Sequence, residues 1–233
     1  MSNTPPPLNS EQIPQIKQKK GLHPWIITLI VLGVVVGGIV LLGVLLLVPT
    51  LSSIRNDAAR LRNANNIREI NKALLFYAVE NDGHLPKKEG FKTSDQLFTS
   101  MVLDRNPKIG EAIFCPPTAL SPKPPVEDNL LNPGENVYLY VAGQKIDDPS
   151  FSPLVADGLM VKPGIYAEEH PFYRQKKAVV GFVDGHVETL LLNSKSSADG
   201  ANGKPVFKSI ENGGLMSVSE DSILYPAIAP INQ

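Results

Sequence analysis

The chain has 233 residues, a net charge of −1 at pH 7 and a single cysteine, Cys115. Because no cluster of lysine and arginine accompanies this near-zero charge, the composition argues against nucleic-acid binding. A single cysteine excludes an intramolecular disulfide and a cysteine-based zinc site, and its neighbours Phe114 and Pro116 favour burial in a core.

The N-terminal quarter of the chain predicts a membrane anchor. Residues 1–23 are polar and rich in proline, so they are expected to form a disordered cytoplasmic tail. The run from Trp25 to Val48 contains no charged residue. Since a helix needs about 20 apolar residues to cross a hydrocarbon core, the sequence predicts a transmembrane helix over 24–49. A cleaved secretory signal is the alternative, but its apolar region is only about 7–15 residues long.

The lysines before this span indicate its orientation. Lys17, Lys19 and Lys20 lie closer together near the boundary than the four arginines between positions 55 and 68. Cytoplasmic flanks carry an excess of lysine and arginine, so we expect the C-terminal domain on the periplasmic side of the inner membrane. Gly33 and Gly37 form a small-xxx-small pattern that allows close approach of a second helix in lipid.

An amphipathic pattern follows the span, because apolar residues recur every three or four positions. They are Leu51, Ile54, Ala58, Leu61, Ala64, Ile67, Ile70, Leu74 and Tyr77. Asn81-Asp82-Gly83 supplies a stop signal, so the sequence predicts that the helix continues over 50–82. Four of the apolar residues are expected to form the core of this helical spine: Leu61, Ile67, Ile70 and Leu74.

Residues 83–233 are rich in proline and glycine and predict a β-rich extracytoplasmic domain. A short helix is expected over 94–103, with Thr93 or Ser94 as its cap. The segment 115–136 is interpreted as a proline-rich loop. Strands are expected at three places: 137–142, 152–156 and 203–210.

The clearest local signal in this domain is a hairpin over Ala178–Leu192. Asp184-Gly185 lies between β-branched runs, which predicts a two-residue turn. The alternation of side chains places Val180 and Phe182 on one face of the hairpin, and Val179 and Val183 on the other.

Several of these residues resemble the type IV pilins and type II secretion pseudopilins. Ile27-Thr28-Leu29-Ile30 is similar to the family's Phe-Thr-Leu-Ile opening, and Pro49 lies within one residue of its helix-bending proline. Tyr77–Pro86 is similar to the stretch that ends the family's helix. Phe114-Cys115-Pro116 and Phe182–Val187 resemble a subgroup with a Cys-Pro pair and a late Asp-Gly hairpin.

The resemblance covers residues 27–190 and implies an α+β fold. In this fold a long N-terminal transmembrane and amphipathic helix packs on a small antiparallel β-sheet. Two family features are absent: Ile26 replaces the glycine of the processing site, and Val31 replaces a glutamate inside the helix. Without processing there is no free N-terminal amine to pair with a buried carboxylate, so the absence of the glycine explains the absence of the glutamate. The two absences predict an uncleaved signal anchor.

Candidate chemical sites are weak in this sequence. Glu168-Glu169-His170 with Asp184 and His186 could form a metal cluster, but the spacing fits no zinc pattern and favours a solvated turn and hairpin. A calcium site would draw on the carboxylates of Asp147, Asp148 and Asp157, yet EF-hand spacing is absent. No nucleophile has a base and an orienting group nearby in sequence. We therefore predict no catalytic, cofactor-binding or metal-binding residue.

The sequence favours a non-enzymatic, membrane-anchored pilin-like subunit or accessory protein of a type II secretion or type IV pilus-like envelope system. Its expected contacts are membrane lipid and, through the N-terminal helix, itself or other pilin-like subunits, with no nucleic acid. The alternative is a membrane-anchored extracytoplasmic binding module that uses the pilin fold as a scaffold for the loop 115–136. A third, weaker hypothesis is an extracytoplasmic enzyme that depends on His170 or His186.

Overall fold

A computed structural model describes residues 24–103, 109–115, 128–158, 160–162, 164–167, 176–200 and 202–227. The chain divides into two compact units, Met1–Leu51 and Ser52–Gln233. Helix α1 extends over Pro24–Glu80, so it ends two residues before the predicted end of the amphipathic segment. The tail 1–23, predicted to be disordered, lies outside the described residues.

In the first unit, α1 exposes apolar side chains on every side. The segment Pro24–Leu46 has a mean hydropathy of 3.1, and none of its most apolar stretch is buried. Within the described part of the chain it is the one helix long and apolar enough to cross a membrane or to serve as a signal anchor.

The second unit contains an antiparallel five-stranded sheet. Its strands are β1 (Tyr138–Val141), β2 (Pro153–Asp157), β5 (Lys177–Phe182), β6 (Val187–Leu191) and β7 (Ile223–Leu224). They are arranged in the order β6-β5-β2-β1-β7. A separate pair is formed by β3 (Met160–Lys162) and β4 (Ile165–Tyr166). The predicted α+β class, with an N-terminal apolar helix and a small antiparallel sheet, is confirmed.

The local predictions in this unit have mixed outcomes. Helix α2 (Ser94–Phe98) is capped by Thr93 and passes into a π-helical turn, Thr99–Leu103, which confirms the short helix. Strands β1 and β2 confirm the predictions over 137–142 and 152–156. The strand predicted over 203–210 is wrong. That segment forms only the single bridges Asp199↔Pro205 and Ser209↔Met216, because turns interrupt it, including one at Gly203 with φ +72°.

One face of the sheet packs against α1. Ile67, Ile70 and Leu74 are fully buried in this core, as predicted. The prediction for Leu61 is wrong, since its side chain is 65% exposed. Leu61 lies six residues before Ile67, and at 3.6 residues per turn this separation rotates it about 120° away from the buried face.

The other face of the sheet is covered by the C-terminal part of the chain, which forms a second core. Val180 and Phe182 meet Phe207, Leu215 and Met216 there. Strand β1 is consequently buried along its whole length. The sequence analysis missed this layer, because it is built from turns and two 3₁₀ helices that carry no long periodicity: Ile210–Asn212 and Glu220–Ser222.

The hairpin over Ala178–Leu192 is confirmed, but its predicted two-residue turn is wrong. Phe182 N–H donates to the carbonyl of His186 at 2.9 Å, which leaves the three residues Val183-Asp184-Gly185 in the loop. Gly185 has φ +89°, the left-handed conformation expected at the end of a three-residue hairpin loop. Asp184 stabilises this loop, since its Oδ1 accepts a hydrogen bond from His186 N–H at 3.0 Å.

Candidate functional site

The first candidate site is the exposed surface of Pro24–Leu46. No charged side chain lies in this segment, and the Val31 side chain is 56% exposed. The Thr28 hydroxyl donates to the carbonyl of Pro24 at 3.1 Å, so this polar group is satisfied without water. A Cβ built on Gly33 or Gly37 meets nothing within 4 Å. This surface is suited to lipid and to a closely packed neighbouring helix.

In the second unit, α1 lies in close contact with the sheet at Gly181 on β5. A Cβ there would lie 2.5 Å from Asn71 Nδ2 and 2.6 Å from Ile67 Cγ2, which real side chains do not tolerate. Asn71 Nδ2 also donates to the carbonyl of Phe182 at 3.2 Å. The missing side chain at Gly181 therefore lets the helix lie directly on the strand.

A buried polar cluster also joins the helix to the sheet. Asp157 accepts Val179 N–H on both carboxylate oxygens at 3.1 Å and the Tyr166 hydroxyl at 3.3 Å. The Tyr138 hydroxyl donates to Asn63 Oδ1 at 2.6 Å. Burial raises the pKa of Tyr138 and of Tyr166 above the usual tyrosine value, so both remain neutral donors at pH 7. The cluster connects α1 with strands β1, β2, β4 and β5 and is suited to holding the fold together.

The carboxylates considered for calcium lie in different surroundings. Asp157 belongs to the buried polar cluster, whereas Asp147 is exposed. Asp148 Oδ2 accepts Lys145 N–H at 2.9 Å and the Ser217 hydroxyl at 2.7 Å. Among the described residues, no three His, Cys, Asp or Glu side chains are grouped so that they could hold a metal ion.

Asp184 and His186 do come together at the tip of the hairpin. His186 Nδ1 contacts Asp184 Oδ1, and the His186 ring stacks on Phe182 with centroids 4.3 Å apart and planes inclined by 7°. Both polar side chains are exposed. Their predicted companions, Glu168-Glu169-His170, lie outside the described residues, as does the stretch 116–127 of the proline-rich loop. Cys115 is buried, which confirms the expectation from its neighbours.

No protein-family model, no curated protein and no solved structure matches the chain. The residues that join helix to sheet are therefore known from the geometry alone. Apolar periodicity located Ile67, Ile70 and Leu74, but it passed over the polar members of the same face, Asn63 and Asn71, both of which are buried. Their spacing of eight residues, close to two helical turns, was the signal available in the sequence.

Proposed function

We propose that this protein is a non-enzymatic, membrane-anchored subunit of a pilin-like envelope assembly, of the type II secretion or type IV pilus kind. The supporting observation is that one helical element, α1, supplies both an apolar segment of membrane-spanning length and the spine of the sheet core.

The proposed location is the inner membrane, with the sheet domain in the periplasm. The absence of any charge between Trp25 and Val48 supports membrane insertion, and the three lysines before the span (Lys17, Lys19 and Lys20) support this orientation. The charge-neutral Val31 removes the need for a partner amine in lipid. Assembly would then rely on close helix packing along Gly33 and Gly37.

We expect a photo-reactive residue at Val40 to cross-link the protein to a second copy or to another single-span subunit in its own membrane. Gly33, Gly37 and Val40 lie on one side of α1, because seven residues make about two turns. Leu42 is the matched control, since two residues at about 100° each place it on the opposite side; the exposed fractions of Val40 and Leu42 are similar, 59% and 63%. Val40 adducts should exceed Leu42 adducts several-fold. Lipid adducts alone at both positions would overturn the subunit proposal.

The membrane location predicts a definite environment for Trp25, the only tryptophan in the chain. Trp25 is 59% exposed at the N-terminal end of the span, and tryptophan prefers the headgroup region. In vesicles, its fluorescence should be quenched more strongly by lipids brominated near the headgroup than by lipids brominated near the chain end. Equal fluorescence in brominated and unlabelled vesicles would contradict a membrane-inserted helix.

A further inference from the structure

A solvent-open cleft with a volume of about 460 Å³ lies at the C-terminal end of α1. Its walls are the last helical turn and the segment that leads from the helix towards α2. This volume falls within the range of about 300–1,000 Å³ that is typical of small-molecule sites. Nothing in the proposed assembly through the membrane span uses it.

The walls of this cleft are held in place by the fold. Gly83, with φ +77°, ends the helix, and its N–H donates to the carbonyl of Ala78 at 2.8 Å. Leu85 N–H donates to the carbonyl of Gln144 at 3.0 Å, and the carbonyl of Pro86 accepts the buried Tyr140 hydroxyl at 2.9 Å. The cleft is therefore preformed, which lowers the ordering cost of binding.

The lining combines aromatic rings with planar polar groups. The rings of Tyr77 and Phe91 are partly exposed in the cleft. The amide of Asn81 is oriented by a hydrogen bond from its Nδ2 to the carbonyl of Tyr77 at 2.7 Å. Carboxylates complete the wall, with Glu80 and Glu89 among them. Rings offer a flat surface for C–H groups or a cation, and carboxylates and amides accept hydrogen bonds from hydroxyl and amino groups.

The charge of the lining selects against anions. Three carboxylates, those of Glu80, Asp82 and Glu89, line the cleft together with one lysine, Lys87. A phosphate, a nucleotide or an acidic sugar would be repelled by this net negative charge. A purely apolar ligand would leave the polar groups without partners.

From this combination we infer that the cleft binds a neutral or amine-bearing saccharide of one or two rings. One ring of the sugar packs on Phe91 through its C–H face, and its hydroxyl or amino groups donate to the carboxylates and to the Asn81 amide. A saccharide site here would give the anchored domain a ligand in the envelope, whether or not its span assembles with other helices.

The test uses the full chain in a polyoxyethylene detergent, because sugar-headed detergents would compete for the cleft. Binding of glucosamine and N-acetylglucosamine disaccharides is measured by ligand-observed NMR and titration, with a glucuronate-containing disaccharide as the acidic comparison. We expect one or both of the first two sugars to bind, and the acidic sugar to bind at least tenfold more weakly.

Phe91→Ala should weaken saccharide binding about tenfold, equivalent to about 1.4 kcal/mol, because it removes the ring on which the sugar packs. Glu89→Gln should weaken the amine-bearing sugar more than the acetylated one. The matched controls are Phe151→Ala and Glu211→Gln, whose side chains are exposed outside the cleft and should leave binding unchanged. Absence of binding by both sugars, equal binding of the acidic sugar, or no effect of Phe91→Ala would each overturn the inference. None of these results bears on the Val40 cross-link.

Discussion

Leu74→Ala is expected to lower the free energy of unfolding of the sheet domain by about 2–5 kcal/mol, the usual cost of deleting a fully buried leucine side chain. Leu61→Ala on the same helix should change it by less than about 0.5 kcal/mol. Leu74 is 0% exposed and Leu61 is 65% exposed, although both occupy the apolar repeat of the sequence. The two variants remove the same atoms and differ only in burial.

The measurement is thermal or denaturant unfolding of the full chain in micelles, followed by tyrosine circular dichroism. All six tyrosines lie at position 77 or later, whereas the only tryptophan is at position 25, so the tyrosine signal reports the second unit. Equal losses for the two variants would mean that Leu61 is buried as completely as Leu74, which would contradict their exposed fractions of 65% and 0%.

This pair of leucines also shows how far the sequence determines the fold. Local periodicity was sufficient for the helix and for the hairpin strands, because those patterns depend on neighbours in the chain. It did not show which residues along the helix are buried, since the apolar Leu61 is exposed while the polar Asn71 is buried. Asn71 and Ile67 lie against the strand at Gly181, which is distant in sequence and has no side chain to keep the helix away.

The second core illustrates the same limit. This core covers one face of the sheet with side chains from turns and short 3₁₀ helices, among them Phe207, Leu215 and Met216. Such a layer has no regular spacing of apolar residues by which it could be predicted from the sequence. The cleft at the end of α1 was not predicted from the sequence. The helix stop at Asn81-Asp82-Gly83 was predicted, but the position of Phe91 beside this helix end was not. Contacts between residues that are distant in sequence can be identified only once the three-dimensional structure is known.

A second large effect is expected from pH, through a carboxylate in α2. Asp95 is 2% exposed, and its Oδ2 accepts a hydrogen bond from Ala227 N–H at 2.6 Å. Its Oδ1 has no hydrogen-bond partner within the described residues. Burial, reinforced by the nearby charge of Glu135, raises the pKa of Asp95 to about 6. The C-terminal segment that contains Ala227 is also bound to α2 by Ser94 N–H, which donates to the carbonyl of Tyr225 at 3.0 Å.

The sign of the effect follows from proton linkage. Asp95 titrates near 6 in the folded state and near 3.8 when unfolded, so the folded state holds more protons between these values. Stability is therefore greatest below the unfolded pKa and falls as the pH rises through 6. Between pH 4.5 and 7.5 the loss from this group is about 2 kcal/mol. The pKa of Glu220 is lowered to about 2, chiefly by a hydrogen bond from Asn212, so this group acts in the opposite direction, mainly below pH 4.5.

Asp95→Asn should remove this loss, because the amide oxygen still accepts the Ala227 N–H while the side chain carries no charge. We expect the variant to be more stable than the natural chain at pH 7.5 and to show a flatter profile from pH 4.5. Burial also raises the pKa of Glu111, so the natural profile alone cannot assign the effect and the difference between the two proteins must be measured. Asp221→Asn, at an exposed carboxylate, is the control and should keep the natural slope. An unchanged slope in Asp95→Asn would show that Asp95 is not the group that couples protons to the docking of the C-terminal segment.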